Sequence, residues 1–185
     1  SATREPNPPS RARRRMAAPQ CRAPERPPLM SRATAPDRLI VGISGASGAI
    51  YGVRMLEALR QSGIESHLVI SRAAALTIAY ELDISVQEVR DLADVVYPIQ
   101  DVGAAISSGS FKTRGMVVAP CSARSLADIA YGSTDALLTP AADVVLKERR
   151  RLVLLMRETP LHLGHIRAVA QATEMQSLSQ LSPFP

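Results

Sequence analysis

A chain of 185 residues with 46% apolar side chains is long enough for one domain with a real core, plus appendages. Only 3% of it is aromatic and it has no tryptophan, so the core must be aliphatic, and no apolar run approaches the roughly 20 residues of a membrane span. The net charge of +5 belongs to residues 1–37, with eight arginines and three acids; residues 38–185 balance fourteen basic and fourteen acidic side chains, which argues against nucleic-acid binding.

Residues 1–37 also hold eight prolines and the run Arg13-Arg14-Arg15. Such a segment cannot bury enough apolar surface to offset its ordering entropy, and it is expected to be a disordered extension. Proline interrupts every candidate helix in it, which disfavours an organelle transit peptide; Met30 is a plausible natural start. Cys21 and Cys121 sit in unrelated contexts and suggest no disulfide framework, so a reducing cytoplasm is the expected compartment.

From Arg38 the chain alternates. A β-branched run over 38–43 reads as a buried parallel strand, and 49–62 as a helix with Ile50, Val53, Leu56 and Leu59 on one face and Gly63 at its end. A strand is expected over 67–70, a helix over 73–80, and a short helix from the capping box Ser85-Val86-Gln87-Glu88 to about Ala93. Residues 97–113 read as an irregular connection, and 115–119 as a strand followed by a helix over 124–131. Thr139 as N-cap and Pro140 at the first helical position predict a helix to Lys147; a strand over 152–156 and a helix over 161–174 follow. This alternation predicts an α/β/α three-layer sandwich with a mostly parallel, Rossmann-like (flavodoxin-like) sheet over 38–174.

The stretch Gly42-Ile43-Ser44-Gly45-Ala46-Ser47-Gly48 joins the first strand to the first helix. A small-residue turn at a helix N-terminus lets backbone N–H groups approach an anion. Its Gly-x-x-Gly-x-x-Gly spacing is neither a dinucleotide fingerprint nor a P-loop, and its serines at 44 and 47 suggest a phosphate held without metal. Ligands of open α/β sheets bind beyond the carboxyl ends of the strands, where this chain has Ser44 to Ser47, Ser71, Pro120-Cys121-Ser122 and Arg157-Glu158. Ser71 stands where an NAD site would favour a carboxylate, so NAD loses ground. Cys121 reads as a small buried hydrophobe, and the pair His162 and His165 lacks a third metal ligand.

These stretches resemble the UbiX/Pad-type flavin prenyltransferases, within the wider flavoprotein family that includes the cysteine-peptide decarboxylases. The resemblance runs from Arg38 to about Glu174 and includes Gly42 to Gly52, Ser107-Ser108-Gly109-Ser110-Phe111, Pro120-Cys121-Ser122, Ala141 to Arg150, and Arg157-Glu158-Thr159-Pro160-Leu161-His162. It implies transfer of a dimethylallyl group from dimethylallyl phosphate to reduced FMN, without metal, the prenylated FMN passing to a partner decarboxylase. It also implies a homo-oligomer, a dodecamer in the family, with no nucleic-acid or membrane partner. By the resemblance, Gly45, Ala46, Ser47, Ser71, Ser122, Ala123, Arg124, Ser125 and Arg157 bind FMN, while Glu81, Lys147 and Glu158 lie by the prenyl phosphate and the reacting flavin atoms.

Two departures stand out. Pro140 occupies a position where the family usually has an arginine, and residues 175–185 turn abruptly to Ser, Gln and Pro where the family continues with a strand and a final helix. That aberrant tail suggests a frameshift or truncation and an impaired prenyl-phosphate site. The alternative reading is a catalytically inactive FMN-binding or assembly subunit. A flavin-dependent decarboxylase ranks last, because positions 49–62 lack the histidine that branch places there.

Overall fold

The computed structural model describes residues 37–133 and 135–175. The expected disordered extension and the altered tail lie outside these residues, apart from Asp37 and Met175. Strand β1 (Arg38–Ile43) is buried from Ile40 onward, as an apolar run between two helical layers should be. Helix α1 (Ala49–Gln61) buries Ala49, Gly52, Val53, Leu56 and Leu59, the helical spacing of a core-facing stripe. Ile50, expected on that stripe, is 38% exposed. The helix ends in a Schellman motif: Gly63 takes φ +66, and the N–H groups of Gly63 and Ile64 donate to Arg60 O and Leu59 O.

Strand β2 (Glu65–Ile70) begins two residues earlier than its apolar pattern, because Glu65 and Ser66 pair in register with Arg38 and Leu39 of β1. Helices α2 (Arg72–Glu81) and α3 (Val86–Asp91) follow, the second with both bonds of the Ser85/Glu88 capping box. Strand β3 (Val95–Tyr97) was not expected. Three residues are too few to show a period, and pairing with His67, Leu68 and Val69 of β2 defines it. The long connection holds a 3-10 turn over Ala105–Ser107. Strand β4 (Gly115–Cys121) and helix α4 (Ala123–Tyr131) come next.

Helix α5 (Leu138–Lys147) corrects the expected start, since Leu137 is its N-cap and Pro140 its third residue. Burial of Leu137 and Leu138 draws the helix back, and Pro140 is tolerated because the first four helical N–H groups have no partner within the helix. Strand β5 (Arg151–Met156) and helix α6 (Leu163–Glu174) complete the described chain, with the His162 side chain accepting from Gly164 N at the α6 N-terminus.

The five strands are all parallel, in the Rossmann-like order β3-β2-β1-β4-β5. One face packs Val41, Ile43, Leu68 and Ile70 against α1, α2 and α3; the other packs Ile40, Met116, Val118, Leu152 and Leu154 against α4, α5 and α6. This is the expected three-layer sandwich. The order reverses between β1 and β4, which places the ligand crevice at their carboxyl ends. Among the described residues no helix is long and apolar enough to cross a membrane.

Candidate functional site

Four chain segments converge at the carboxyl ends of adjacent strands β2, β1, β4 and β5. They carry Ser71, the 44–48 turn, Ser122 and Arg157-Glu158, in the sheet order just given. Two of the serines are helix N-caps for the usual reason, a short side-chain oxygen meeting an orphan N–H. Ser71 Oγ accepts from Ala74 N at 3.0 Å, and Ser122 Oγ from Ser125 N at 3.1 Å. Ser71 keeps a hydroxyl proton to donate, and Ser122 turns its own toward Ser125 Oγ at 3.1 Å.

The two serines of the first turn part company. Ser44 is fully buried; its Oγ donates to Pro120 O at 3.0 Å and accepts from Ser122 N at 2.7 Å, stapling the end of β1 to the end of β4. It is therefore a structural tie, and the reading of two serines facing a phosphate is corrected to one. Ser47 is exposed and lines the crevice.

Glu81 adds a feature that sequence spacing did not reveal. Its Oε2 accepts from Gly48 N at 2.9 Å and Ala49 N at 3.2 Å, on the positive N-terminus of α1. The Gly48 N–H is the largest influence holding this carboxyl below its ordinary 4.5, helped by the Ser47 hydroxyl, the Ala49 N–H and the Arg157 charge. Ser47, Glu81 and Arg157 therefore share one neighbourhood. The Gly48 amide is spent on Glu81 and the Ala46 amide on Ser44 O at 2.9 Å, leaving the amides of Gly45 and Ser47 as the candidate cradle. Helix α2 can deliver Glu81 because Gly45 lets it close over the turn: a Cβ there would lie 2.3 Å from Ala73 Cβ.

Ala123 and Ser125 stand in the first turn of α4, whereas the Arg124 guanidinium lies along its own helix on Asp128, 3.0 Å from both carboxylate oxygens. Arg157 and Glu158 are exposed just beyond β5. Between α1 and the β4–β5 surface runs a cleft of about 640 Å³, with Ser47, Tyr51, Arg54 and Arg157 as groups bearing polar atoms against apolar Met55, Val117, Val153 and Leu155. It exists because the core on the α1 face draws on β1 and β2 but on no residue of β4 or β5.

Lys147 is not brought to this place. It ends α5 four residues before β5 starts, and it lines a hollow with Arg114, Gly115 and Arg151 at the amino ends of β4 and β5. A six-residue strand puts about 20 Å between the two ends. Within one chain, Lys147 is therefore set apart from Glu81 and Glu158.

Beside Lys147 sits the Ser107–Phe111 motif, held by a residue that sequence reasoning passed over. Arg150 donates from Nη1 to Phe111 O at 2.6 Å and from Nη2 to Gly109 O at 2.8 Å. The Phe111 ring packs edge-on to His67 and under the Arg38 guanidinium. Nothing local marks a partnership 39 or 41 residues apart.

Cys121 is buried, and burial pushes its thiol up to about 12, so it is an inert core residue. His162 and His165 stack at 3.6 Å between ring centroids. Among the described residues no three His, Cys, Asp or Glu side chains cluster as a metal site.

Fold and site together define a doubly wound α/β protein whose serine-capped helix starts suit a phosphorylated ligand at the topological switch point. The flavoprotein family model matches residues 29–183. Flavin prenyltransferase UbiX of Escherichia coli strain K12 is 62% identical over 149 residues, which cover 80% of this chain and 78% of that protein. Among solved structures, AnUbiX in complex with FMN and dimethylallyl pyrophosphate superimposes with a TM-score of 0.78 at 47% identity, covering 81% of this chain and 79% of that one. A dodecameric FMN-dependent UbiX-like decarboxylase from Escherichia coli O157:H7 gives 0.76 at 46% identity, covering 80% and 81%. The chain belongs to the flavoprotein family, in its UbiX-type flavin prenyltransferase branch.

Proposed function

We propose that this chain is a flavin prenyltransferase that joins the dimethylallyl group of dimethylallyl phosphate to reduced FMN, yielding prenylated FMN for a partner decarboxylase. The observation that carries the reading is Ser47 and Arg157 on one largely apolar cleft, with Ser71 and Ser122 at the carboxyl ends of the neighbouring strands, in a chain 62% identical to a UbiX protein. The residues present fit FMN: hydroxyls and a guanidinium at one end suit its phosphate, and aliphatic walls suit a flat ring. Bound reduced FMN supplies the nucleophilic ring that accepts the prenyl group.

Gly45, Ala46, Ser47, Ser71, Ser122, Ala123, Arg124, Ser125 and Arg157 form the proposed FMN-binding set. Arg124 would have to release Asp128 to contribute its charge. Glu81, already ionised on the α1 N-terminus, orients Ser47 and keeps a negative charge facing Arg157. Glu158 is placed to exchange protons between ligands. The departing phosphate carries about two negative charges and needs a fixed cation. Lys147 meets that need from a neighbouring copy, since its own cleft lies a strand's length away. A homo-oligomer, as in the dodecameric relative, follows from this reading. We further propose residues 38–174 as the FMN-binding body, flanked by an appended extension and tail, and a cytoplasmic location.

The test is anaerobic incubation with reduced FMN and dimethylallyl phosphate, with mass analysis of the flavin. A gain of one dimethylallyl unit on FMN is expected, at a rate well below that of a relative that carries the arginine replaced by Pro140 and the C-terminal strand and helix. FMN retained but unmodified under these conditions would favour the inactive-subunit alternative.

A further inference from the structure

A parallel sheet is normally covered by helices on both faces, and this one is bare over part of one face. Side chains alternate along β4 and β5. Val118, Leu152 and Leu154 are buried on the α4–α6 side, whereas Val117 and Val153, in register with each other, lie on the α1 side and are only half-buried. With Leu39, Ile64 and Leu146 they floor the hollow that Lys147 lines at the amino ends of these strands, of about 1100 Å³. Its walls carry four further cations, Arg114, Arg149, Arg150 and Arg151, against one acid among the described residues, Glu174. Arg114 pairs with Asp37, and Arg150 holds the Gly109 and Phe111 carbonyls. Arg149 and Arg151 are exposed and make no hydrogen bond or ion pair with a described residue.

Arg149 also has an uncommon backbone. Helix α5 closes in a Schellman motif, Arg149 N donating to Leu146 O at 2.9 Å and Arg150 N to Val145 O at 2.8 Å. The left-handed position of that motif belongs by preference to glycine. Here Arg149 fills it with φ 53, the one non-glycine residue of positive φ among the described residues. A long cation in a conformation that favours glycine, on the lip of a concave apolar surface, is a feature the fold does not require.

We propose that this hollow binds an amphiphilic anion, its aliphatic chain on the Val117–Val153 floor and its carboxylate or phosphate head on Arg149 and Arg151. The site stands apart from the prenyl-transfer reading and does not depend on it. Guanidinium groups match carboxylate and phosphate oxygens in bidentate fashion. A bare inorganic anion would leave the apolar floor uncovered. A nucleotide would need a ring to stack on, and no aromatic side chain lines the hollow. A flat bilayer cannot enter a concavity, so the occupant is a single amphiphile.

The test is isothermal titration calorimetry of the intact chain with FMN present. The probes are dodecanoate and dodecyl phosphate below their micelle concentrations, with inorganic phosphate and dodecanol as controls. One amphiphile should bind per chain, the tighter head identifying the source as a carboxylate or a phosphate ester, and both controls should bind far more weakly. Arg149→Gly is the decisive variant, because glycine suits φ 53. Its unfolding midpoint should hold or rise while amphiphile affinity falls about tenfold, the usual loss for one charge-assisted hydrogen bond. An Arg149 that served the fold alone would leave affinity unchanged. Arg151→Ala should weaken binding by a similar factor and leave the FMN titration as it was. No binding of either amphiphile, inorganic phosphate binding as tightly as dodecyl phosphate, or full affinity in both arginine variants would each overturn the proposal.

Discussion

The two ends of the sheet are built by different means. At the carboxyl end each segment carries its own local device: Ser71 and Ser122 cap the helices they open, and a glycine-rich turn leads into α1. Such devices fix their geometry within a few residues, and they leave amides and hydroxyls facing outward for an anion. At the amino end the order is long-range. Arg150 gathers the carbonyls of Gly109 and Phe111, and Arg38, Glu65, His67 and Tyr97 form a chain of bonds that joins β1, β2 and β3. That end presents Lys147 and the Ser107–Ser110 loop to solvent, away from the cleft. The carboxyl end gathers the candidate binding residues of one chain, whereas Lys147 stands a strand's length away at the amino end.

The largest effect is expected from Ser47→Glu. It would set a second carboxylate beside Glu81 and against a ligand phosphate, and should abolish FMN retention in a fluorescence titration. Unchanged binding would remove the phosphate from this turn and with it the division between the ends. Next, Lys147→Ala should lower the prenyl-transfer rate by about 10²–10³, the usual loss when one oriented charge-stabilising group is removed. FMN affinity should be unchanged, and a parallel loss of affinity would blur the contrast.

Arg150→Ala should act on stability alone. It strips the donors from two carbonyls, and loss of such charge-assisted bonds costs about 1.5–3 kcal/mol in urea unfolding. FMN affinity of the folded fraction should stay the same if the amino end is a separate device.

The smallest effect concerns pH. Burial holds the His67 imidazole below its ordinary 6.5, ahead of the opposing pull of Glu65. Glu65 accepts from Nε2, so Nδ1 accepts from the Tyr97 hydroxyl in the neutral ring. A neutral histidine favoured by folding gives its full contribution above pH 6.5 and loses it as pH falls toward the lowered folded value. Unfolding midpoints should therefore drop below pH 6.5, before the carboxylates Glu81 and Asp94, also held low by N–H donors, begin to protonate. In His67→Gln the first drop should vanish and the second remain.

Much of this was legible in the sequence, for reasons that are local. Apolar runs marked four of the five strands, and Gly63 and the Ser85/Glu88 pair marked their helix ends, because burial and capping act over a few residues. The residues past each strand could be named as candidate ligands from topology alone. The three-residue β3 could not be read, since only its pairing with β2 makes it a strand. The start of α5 could not be read either, because the burial of Leu137 and Leu138 outweighed the cap-and-proline signal. What the sequence by itself determined is which segments are strands and helices and which residues stand where strands end. Tertiary structure alone decided that Ser44 is a tie while Ser47 is exposed on the cleft beside Glu81, that Glu81 reaches 33 residues back to the α1 N-terminus, and that Lys147 stands away from its own cleft. Each of those outcomes depends on how helices cross the sheet, a contest among distant packing surfaces that no local spacing records.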